Sequence, residues 1–258
     1  MIELRRKLRD RESVVASWAS LGHPAVSEIM AAHGYDFILI DLEHTDLSLA
    51  DVANHIRAIE SADGPTVPVV RVPWNDPVWI KRVLDLGPAG ILVPMIETAE
   101  EARAAVEATR YPPEGIRGVA GGRASGYGEN FVEYVESANE NVAVILQTET
   151  ERSIENAGAI AAVEGVDGLF IGPSDLSKGV GAFGQWEDRR ILDAVETIVE
   201  AANENDVSVG ILAVTESQIE ARVEWDVDFM IVGTDARFVR IGSKEAKATF
   251  EAASAGSR

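Results

Sequence analysis

Short apolar segments rich in β-branched residues alternate along the chain with amphipathic segments of helical period. This alternation is typical of βα units built around a buried parallel sheet. The apolar segments predict strands at residues 14–18, 37–41, 67–71, 90–94, 142–147, 168–172, 208–213 and 229–233. The amphipathic segments predict helices at about 24–33, 48–61, 76–86, 98–109, 151–162, 189–205, 215–224 and 235–253.

Eight such units in 258 residues favour a closed (β/α)8 barrel that occupies residues 1–258 as one domain. An open, doubly wound sheet also alternates strands and helices, but strands of similar length without a change in composition favour closure.

The longest connection joins the fourth and fifth predicted strands. It contains the glycine-rich segment 115–130, and we expect an insertion at about 112–139 with a helix at about 130–138. Because long connections are commonly functional, the segment predicts a lid over the barrel mouth that carries Arg123. A plain surface loop is the alternative.

Composition narrows the classes of partner. The 43 acidic and 23 basic residues give a net charge of −20, spread over the predicted helices. Such a charge argues against nucleic acid or an anionic membrane as partner and favours a salt-adapted, halophilic source; an ordinary acidic protein or an acidic interaction surface are the alternatives. The charged N-terminal segment and the lack of a long apolar run predict a cytoplasmic protein.

The active sites of such barrels lie at the carboxyl ends of the strands, so polar residues there are the candidates for chemistry. Carboxylates after strands five and six, Glu149 and Asp175, suit a hard divalent ion such as Mg²⁺ or Mn²⁺, and the absence of cysteine leaves oxygen and nitrogen as ligands. The alternative is that Glu149 favours the start of the next helix and Asp175 caps a turn. The strand-end residues are Asp41, Glu43, His44, Arg71, Gln147, Glu149, Ser174 and Asp175.

Two of these side chains are predicted to act in catalysis. His44 has carboxylates around it and suits a general base, the alternative being a structural histidine under a loop. Arg71 places a fixed cation at the mouth for an α-keto acid and its enolate, the alternative being a pair with Asp41 or Glu43. No lysine follows a strand inside the mouth, which favours metal-stabilised chemistry over a Schiff base.

Several motifs together resemble the HpcH/HpaI aldolase family over nearly the whole chain. The motifs are IDLEH (40–44), VPVVRV (67–72), the segment 91–119, QTE (147–149), GVDGLFIGPSDLS (165–177) and GIL (210–212). The resemblance implies a class II pyruvate aldolase that uses Mg²⁺ or Mn²⁺, with Co²⁺ as an alternative. It also implies a hexamer arranged as a trimer of dimers, and reversible cleavage of a 4-hydroxy-2-keto acid to pyruvate and an aldehyde.

The resemblance also assigns roles to individual residues. It makes His44 the catalytic base and Asp85, arriving across a subunit contact, the acid that raises its basicity. Arg71 stabilises the transition state, and Glu149 and Asp175 bind the metal. The substrate-binding positions are Gln147, Ser174, Gly172, Pro173, Trp18 and Leu212.

Two alternatives to an aldolase stay open. A related barrel lyase of the citrate-lyase type would act on a CoA thioester and would need a basic patch for the CoA phosphates. A degenerate barrel would serve as an acidic scaffold without catalysis. Two features depart from the pattern of the family that the chain resembles: Ser174 stands where alanine is also common, and the glycine-rich segment 115–130 differs. These departures bear on which aldehyde is released.

The acidic composition predicts that the protein needs salt. Screening relieves repulsion among the excess negative charges, so the thermal unfolding midpoint should rise between about 0.1 M and 1 M KCl, where the Debye length falls from about 10 to 3 Å. Differential scanning fluorimetry measures this shift. A midpoint that stays flat or falls would contradict the halophilic interpretation.

Overall fold

The computed structural model describes residues 2–255, and its eight parallel strands close into a barrel in chain order. The predicted (β/α)8 fold is confirmed. The strands are β1 (Val14–Ala19), β2 (Phe37–Asp41), β3 (Val67–Arg71), β4 (Gly90–Val93), β5 (Ala143–Thr148), β6 (Gly168–Ile171), β7 (Ser208–Ala213) and β8 (Phe229–Thr234).

Twelve α-helices lie within residues 2–255, and a 3-10 helix spans Arg123–Gly128. None of these helices is long and apolar enough to cross a membrane. The α-helices are α1 (Ile2–Arg9), α2 (Pro24–Ala31), α3 (Leu49–Ser61), α4 (Pro77–Leu84), α5 (Ala99–Thr109), α6 (Phe131–Asn141), α7 (Glu151–Glu155), α8 (Ala157–Ala161), α9 (Pro173–Gly179), α10 (Arg189–Glu204), α11 (Glu216–Val223) and α12 (Asp235–Ala255).

Local signals in the sequence set most helix starts. Ser48, Thr98 and Thr150 each cap a helix by accepting a hydrogen bond from a backbone amide in its first turn. The helix predicted at 151–162 is in fact two short helices that meet at Asn156. Helices α1 and α9 were not predicted from the sequence.

Alternation along each strand divides the core in two. Outward-facing residues such as Ile38 and Ile40 pack beneath the helices, whereas inward-facing residues such as Phe37, Leu39 and Phe170 fill the barrel. Helix α1 closes the amino end of the barrel, where Leu4 and Leu8 join the inner core. Beside them, Arg5 donates to Asp167 at 2.9 Å, so a buried ion pair fixes this helix under the strands.

Phe229 occupies the centre of the barrel and sets the size of its neighbours. Its ring lies 6.2 Å from that of Phe170 and 6.3 Å from that of Phe37. A Cβ atom at Gly210 would lie 2.2 Å from the Phe229 ring, so no other residue fits there without displacing the ring. The glycine thus makes room for the Phe229 ring.

Gly210→Ala should therefore lower the unfolding midpoint, since overpacking in a filled core costs about 1–3 kcal/mol. Gly242→Ala is the matched control, because this residue lies on exposed helix α12 with nothing within 4 Å of the added methyl group. The control should be neutral or slightly stabilising, since alanine favours helix by about 1 kcal/mol over glycine. Equal midpoints for the two variants would contradict the packing described here.

Candidate active site

Polar side chains meet at the carboxyl ends of the strands, which we call the rim. Asp41 and Arg71 are the last residues of β2 and β3, Gln147 lies near the end of β5, and Glu149 follows that strand directly. All four are at least 95% buried. Side chains alternate along β2, so Asp41 faces inward like Phe37 and Leu39 before it. The two-residue period of the strand therefore places this carboxylate at the mouth.

Arg71 is held by two carboxylates. It pairs with Asp41 in the strand register, and its Nε and Nη2 atoms donate to the two carboxylate oxygens of Asp41, each at 2.8 Å. Its Nη1 atom lies 2.7 Å from Glu43 Oε2. The guanidinium also stacks 4.5 Å from the centre of the Trp18 ring. Two of its five N–H groups donate to Asp41, and the others make no hydrogen bond within residues 2–255.

Glu149 is a desolvated carboxylate. Its Oε1 atom accepts from the Met95 amide at 3.1 Å, and Oε2 accepts from Gln147 Nε2. Burial raises its pKa above the ordinary value, and the nearby charge of Asp175 raises it further. Burial likewise raises the pKa of Glu43, although the charge of Arg71 opposes this shift.

The start of α9 is built around Glu149. A Cβ atom at Gly172 would lie 2.6 Å from Glu149 Oε2, so a larger residue here would displace the Glu149 carboxylate. Pro173 begins the helix, and Ser174 and Asp175 lie exposed in its first turn. Within residues 2–255 the carboxylate of Asp175 accepts no hydrogen bond. The carboxylate of Glu149 does not bond to the backbone amides of α7, and Thr150 is the residue that caps this helix.

These residues fit a divalent cation, judged by their chemistry. Glu149 and Asp175 offer hard oxygen donors, and the buried Oε1 atom of Gln147 has no hydrogen-bond partner within residues 2–255. No group of three or more histidine, cysteine, aspartate or glutamate side chains in the described chain is arranged to hold a metal. A cation here would therefore take its other ligands from substrate and water.

His44 stands at the rim without a tight partner. Its side chain is 67% exposed, and Nε2 lies 3.8 Å from Glu43 Oε1. His55, in contrast, is fully buried on α3, and its Nδ1 atom lies 2.7 Å from Ser27 Oγ. Burial lowers the pKa of His55, so that residue is a structural neutral histidine. His44 is free to meet a substrate.

Asp85 lies at the other end of the barrel. It follows α4 as its C-terminal cap, and α4 runs from the rim back to the amino end of β4. Its carboxylate pairs with buried Arg117 at 3.0 Å, and Arg117 stacks 4.5 Å from the centre of the Tyr111 ring. No contact joins Asp85 to His44 within residues 2–255.

The glycine-rich segment also lies at the amino end. Arg123 donates to the Leu86 carbonyl at 2.7 Å and pairs with Glu60, and the Ala124 amide donates to the Asp85 carbonyl at 3.1 Å. The segment thus packs on the C-terminal ends of α3 and α4. The expectation of a lid over the chain's own mouth is therefore not met.

The remaining predicted positions line the inner wall. Trp18 is 8% exposed and lies 6.2 Å from Phe170, ring centre to ring centre. Leu212, near the end of β7, is half-buried, and its carbonyl accepts from Arg222. Sequence reasoning missed Arg117 and Arg222, because burial of an arginine leaves no mark in the local pattern.

The closed parallel barrel and its polar rim define an enzyme of the (β/α)8 class. Residues 15–240 match the family described as HpcH/HpaI aldolase/citrate lyase. A 5-keto-4-deoxy-D-glucarate aldolase of Escherichia coli O6:H1 is 34% identical over 249 residues, which cover 96% of each chain. The chain therefore belongs to the HpcH/HpaI family and is a carbon–carbon lyase of the aldolase type.

Solved structures agree with this membership. An HpcH/HpaI aldolase/citrate lyase family protein from Burkholderia cenocepacia J2315 superposes with a TM-score of 0.93 at 36% identity, covering 97% of this chain and 100% of the other. A citrate synthase, SbnG, superposes with a TM-score of 0.86 at 30% identity, covering 98% and 99%. The barrel and its connections are thus shared along nearly the full length.

Asp41→Asn should lower the free energy of unfolding by about 2 kcal/mol, because buried Arg71 loses the hydrogen bonds to a charged acceptor and keeps only Glu43 as a carboxylate partner. Urea unfolding followed by circular dichroism measures the loss. Arg6→Gln removes an exposed arginine from its ion pairs with Glu3, Asp10 and Glu12 and should leave the unfolding midpoint unchanged. If both variants unfold like the wild type, Arg71 does not depend on Asp41.

Proposed function

We propose that this protein is a divalent-metal-dependent aldolase that reversibly cleaves a 4-hydroxy-2-keto acid to pyruvate and an aldehyde. The observation that carries the proposal is the rim itself, where a fixed guanidinium, Arg71, shares one mouth with the carboxylates of Glu149 and Asp175. A cation and a metal-binding pair at one mouth suit a reaction whose transition state gathers negative charge on a keto oxygen.

Glu149 and Asp175 would hold the ion, with Mg²⁺ or Mn²⁺ as the expected metals and Co²⁺ as an alternative. When bound, such an ion supplies Lewis-acid stabilisation of negative charge on oxygen. Gln147 and Ser174 would contact the pyruvate part of the substrate. Gly172 and Pro173 shape that side of the pocket by allowing α9 to begin against Glu149.

Arg71 acts on the developing charge. The C3–C4 bond of the substrate breaks, its electron pair passes through C3 to the keto oxygen, and the free N–H groups of Arg71 stabilise the enolate oxygen. Because Asp41 and Glu43 already fix the guanidinium, it contributes without reorganising. Trp18, stacked on the same guanidinium, excludes water from one side of it.

His44 takes the proton of the C4 hydroxyl as the aldehyde forms. Its exposure at the rim, with Glu43 as its nearest charged neighbour at 3.8 Å, leaves its ring accessible to a substrate hydroxyl. Leu212, near the end of β7, is proposed as a further wall of the substrate pocket.

Asp85 would join His44 from a second copy of the chain. Within one chain the two residues lie at opposite ends of the barrel, so a partner must present its amino end to the rim. The glycine-rich segment packs beside Asp85 and would arrive with it. A homo-oligomer, expected to be a hexamer arranged as a trimer of dimers, is therefore part of the proposal.

The proposed substrates are sugar-acid-derived 2-keto-3-deoxy acids. The Escherichia coli relative is named for such an acid, whereas 4-hydroxy-2-oxoheptanedioate represents the aromatic-breakdown class. The CoA-thioester alternative would need clustered cations for the CoA phosphates, but the rim is dominated by carboxylates. A scaffold without activity would not need the buried pair of Arg71 and Asp41 at the mouth.

Release of pyruvate from a panel of keto acids tests the proposal. The purified protein is incubated at high salt with Mg²⁺, Mn²⁺ or Co²⁺, and pyruvate is followed by proton NMR with both keto-acid classes, a CoA thioester and oxaloacetate. We expect metal-dependent pyruvate release from a 4-hydroxy-2-keto acid. Turnover of the CoA thioester alone, or of nothing in the panel, would contradict the proposed function.

Glu149→Gln with Asp175→Asn should abolish metal-dependent activity while the fold is kept. Burial raises the pKa of Glu149 above its ordinary value of 4.5, so protons compete with the metal for this carboxylate. As the pH is lowered, the affinity for the metal should therefore begin to fall at a pH above 4.5. Calorimetric Mn²⁺ titrations across pH measure this. Glu151→Gln, on exposed α7, is the control and should bind normally. Activity that survives both chelation and the double substitution would remove the metal from the account.

His44→Ala should lower kcat for cleavage by about 100-fold or more, the usual scale for a positioned general base, and leave pyruvate affinity unchanged.

Asp85→Ala should also lower kcat for cleavage. Mixing the two variants under conditions that exchange subunits should raise activity above their average, since about a quarter of randomly formed sites regain both residues. Activity that only equals the average would place Asp85 outside the partner's site.

A further inference from the structure

Arg222, near the end of α11, is a buried cation without an acidic partner. It is 3% exposed, as deeply buried as three other arginines of residues 2–255. Each of those three pairs with a carboxylate: Arg5 with Asp167, Arg71 with Asp41, and Arg117 with Asp85. No carboxylate of the described residues lies within ion-pair distance of Arg222, although acidic residues outnumber basic ones by 43 to 23.

The surroundings of Arg222 are apolar on two sides. Its guanidinium lies 5.7 Å from the centre of the Trp186 ring and 5.5 Å from that of Trp225. The one hydrogen bond that its guanidinium makes within residues 2–255 runs from Nη1 to the Leu212 carbonyl. Burial lowers its pKa to about 10, with desolvation as the cause. A charge that is desolvated in this way gains much from a counter-ion.

Arg222 and the two indole rings line a groove along α11 with a volume of about 430 Å³. Gln218 contributes its amide one turn before Arg222, and its Oε1 atom accepts from the Val214 amide at 2.9 Å. Exposed Glu187 lies at the side of the groove. The groove is thus open, walled by flat apolar rings, and has a cation with unused N–H groups in its lining.

We propose that this groove is a second ligand site, separate from the rim, that binds the carboxylate of a small organic acid. The planar edge of a guanidinium matches a carboxylate in a paired hydrogen-bonding geometry. The indole rings of Trp186 and Trp225 offer apolar surface to the carbon skeleton of the acid. Inorganic phosphate satisfies the cation but makes no use of that surface.

The groove is connected to the barrel through the backbone. The guanidinium proposed to bind the acid also holds the carbonyl of Leu212, near the carboxyl end of β7. A ligand that draws the guanidinium towards the groove therefore acts on this strand end directly. The binding proposal itself does not depend on the reaction proposed for the rim.

The test uses 4-bromobenzoate with the purified protein of residues 1–258. Crystals soaked in this acid should show an anomalous bromine peak between Trp186 and Trp225, and calorimetry should give a dissociation constant of about 1 mM or below. Gln218→Glu keeps the acceptor for the Val214 amide but adds a carboxylate to the groove. This variant should bind at least about tenfold more weakly, and Arg222→Met should not bind.

Two controls set the expected range. Glu187→Gln removes the acid beside the groove and should tighten binding, whereas Glu220→Gln, on α11 but outside the groove lining, should change it by less than about twofold. Three results would contradict the proposal: a bromine peak only at the rim, a peak in the groove without calorimetric binding, or unchanged affinity in Gln218→Glu. Arg222 would then have only a structural role, as the donor to the Leu212 carbonyl. Tighter binding of phosphate than of 4-bromobenzoate in the groove would overturn the assignment of an organic acid.

Discussion

Closure of eight parallel strands is the constraint on which the rest of this molecule depends. It brings every carboxyl end to one rim, and alternation turns the last inward residue of each strand towards the mouth. Asp41 and Arg71 are register partners on neighbouring strands, so the sheet itself aligns the ion pair that fixes the guanidinium. Phe229 and its neighbours fill the barrel below, so the side chains of Asp41 and Arg71 lie at the open carboxyl end above this apolar core.

The same geometry separates residues that the proposed reaction needs together. Helix α4 carries Asp85 away from the rim to the amino end, where Arg117 and the glycine-rich segment hold it. A chain that folds in this way cannot bring Asp85 to His44 by a local movement, because the length of the barrel lies between them. The proposed oligomer follows from this separation, since a second copy is the simplest source of the missing carboxylate.

Much of this architecture could be predicted from the sequence. Strand bounds agree within about one residue, because a buried strand is a short apolar run between turn residues. Helix α9 was missed because GPSD resembles a turn. From the sequence alone Arg71 could pair with Asp41 or with Glu43. The structure shows both pairs, because three-dimensional register decides such contacts. The segment 115–130 follows helix α5 and precedes strand β5, and this order predicts a place at the amino end of the barrel rather than over its mouth.

The most direct measurement of the central claim is exchange of the pyruvate methyl protons with deuterium. It detects enolate formation at the rim without knowledge of the aldehyde. We expect rapid exchange in the metal-loaded protein, measured by proton NMR in D2O. Exchange should be lost after chelation, in Glu149→Gln with Asp175→Asn, and in Arg71→Lys, which keeps the charge but loses the planar fork. Exchange that is absent in the metal-loaded protein, or that persists in all three cases, would contradict metal-dependent enolate chemistry at this site.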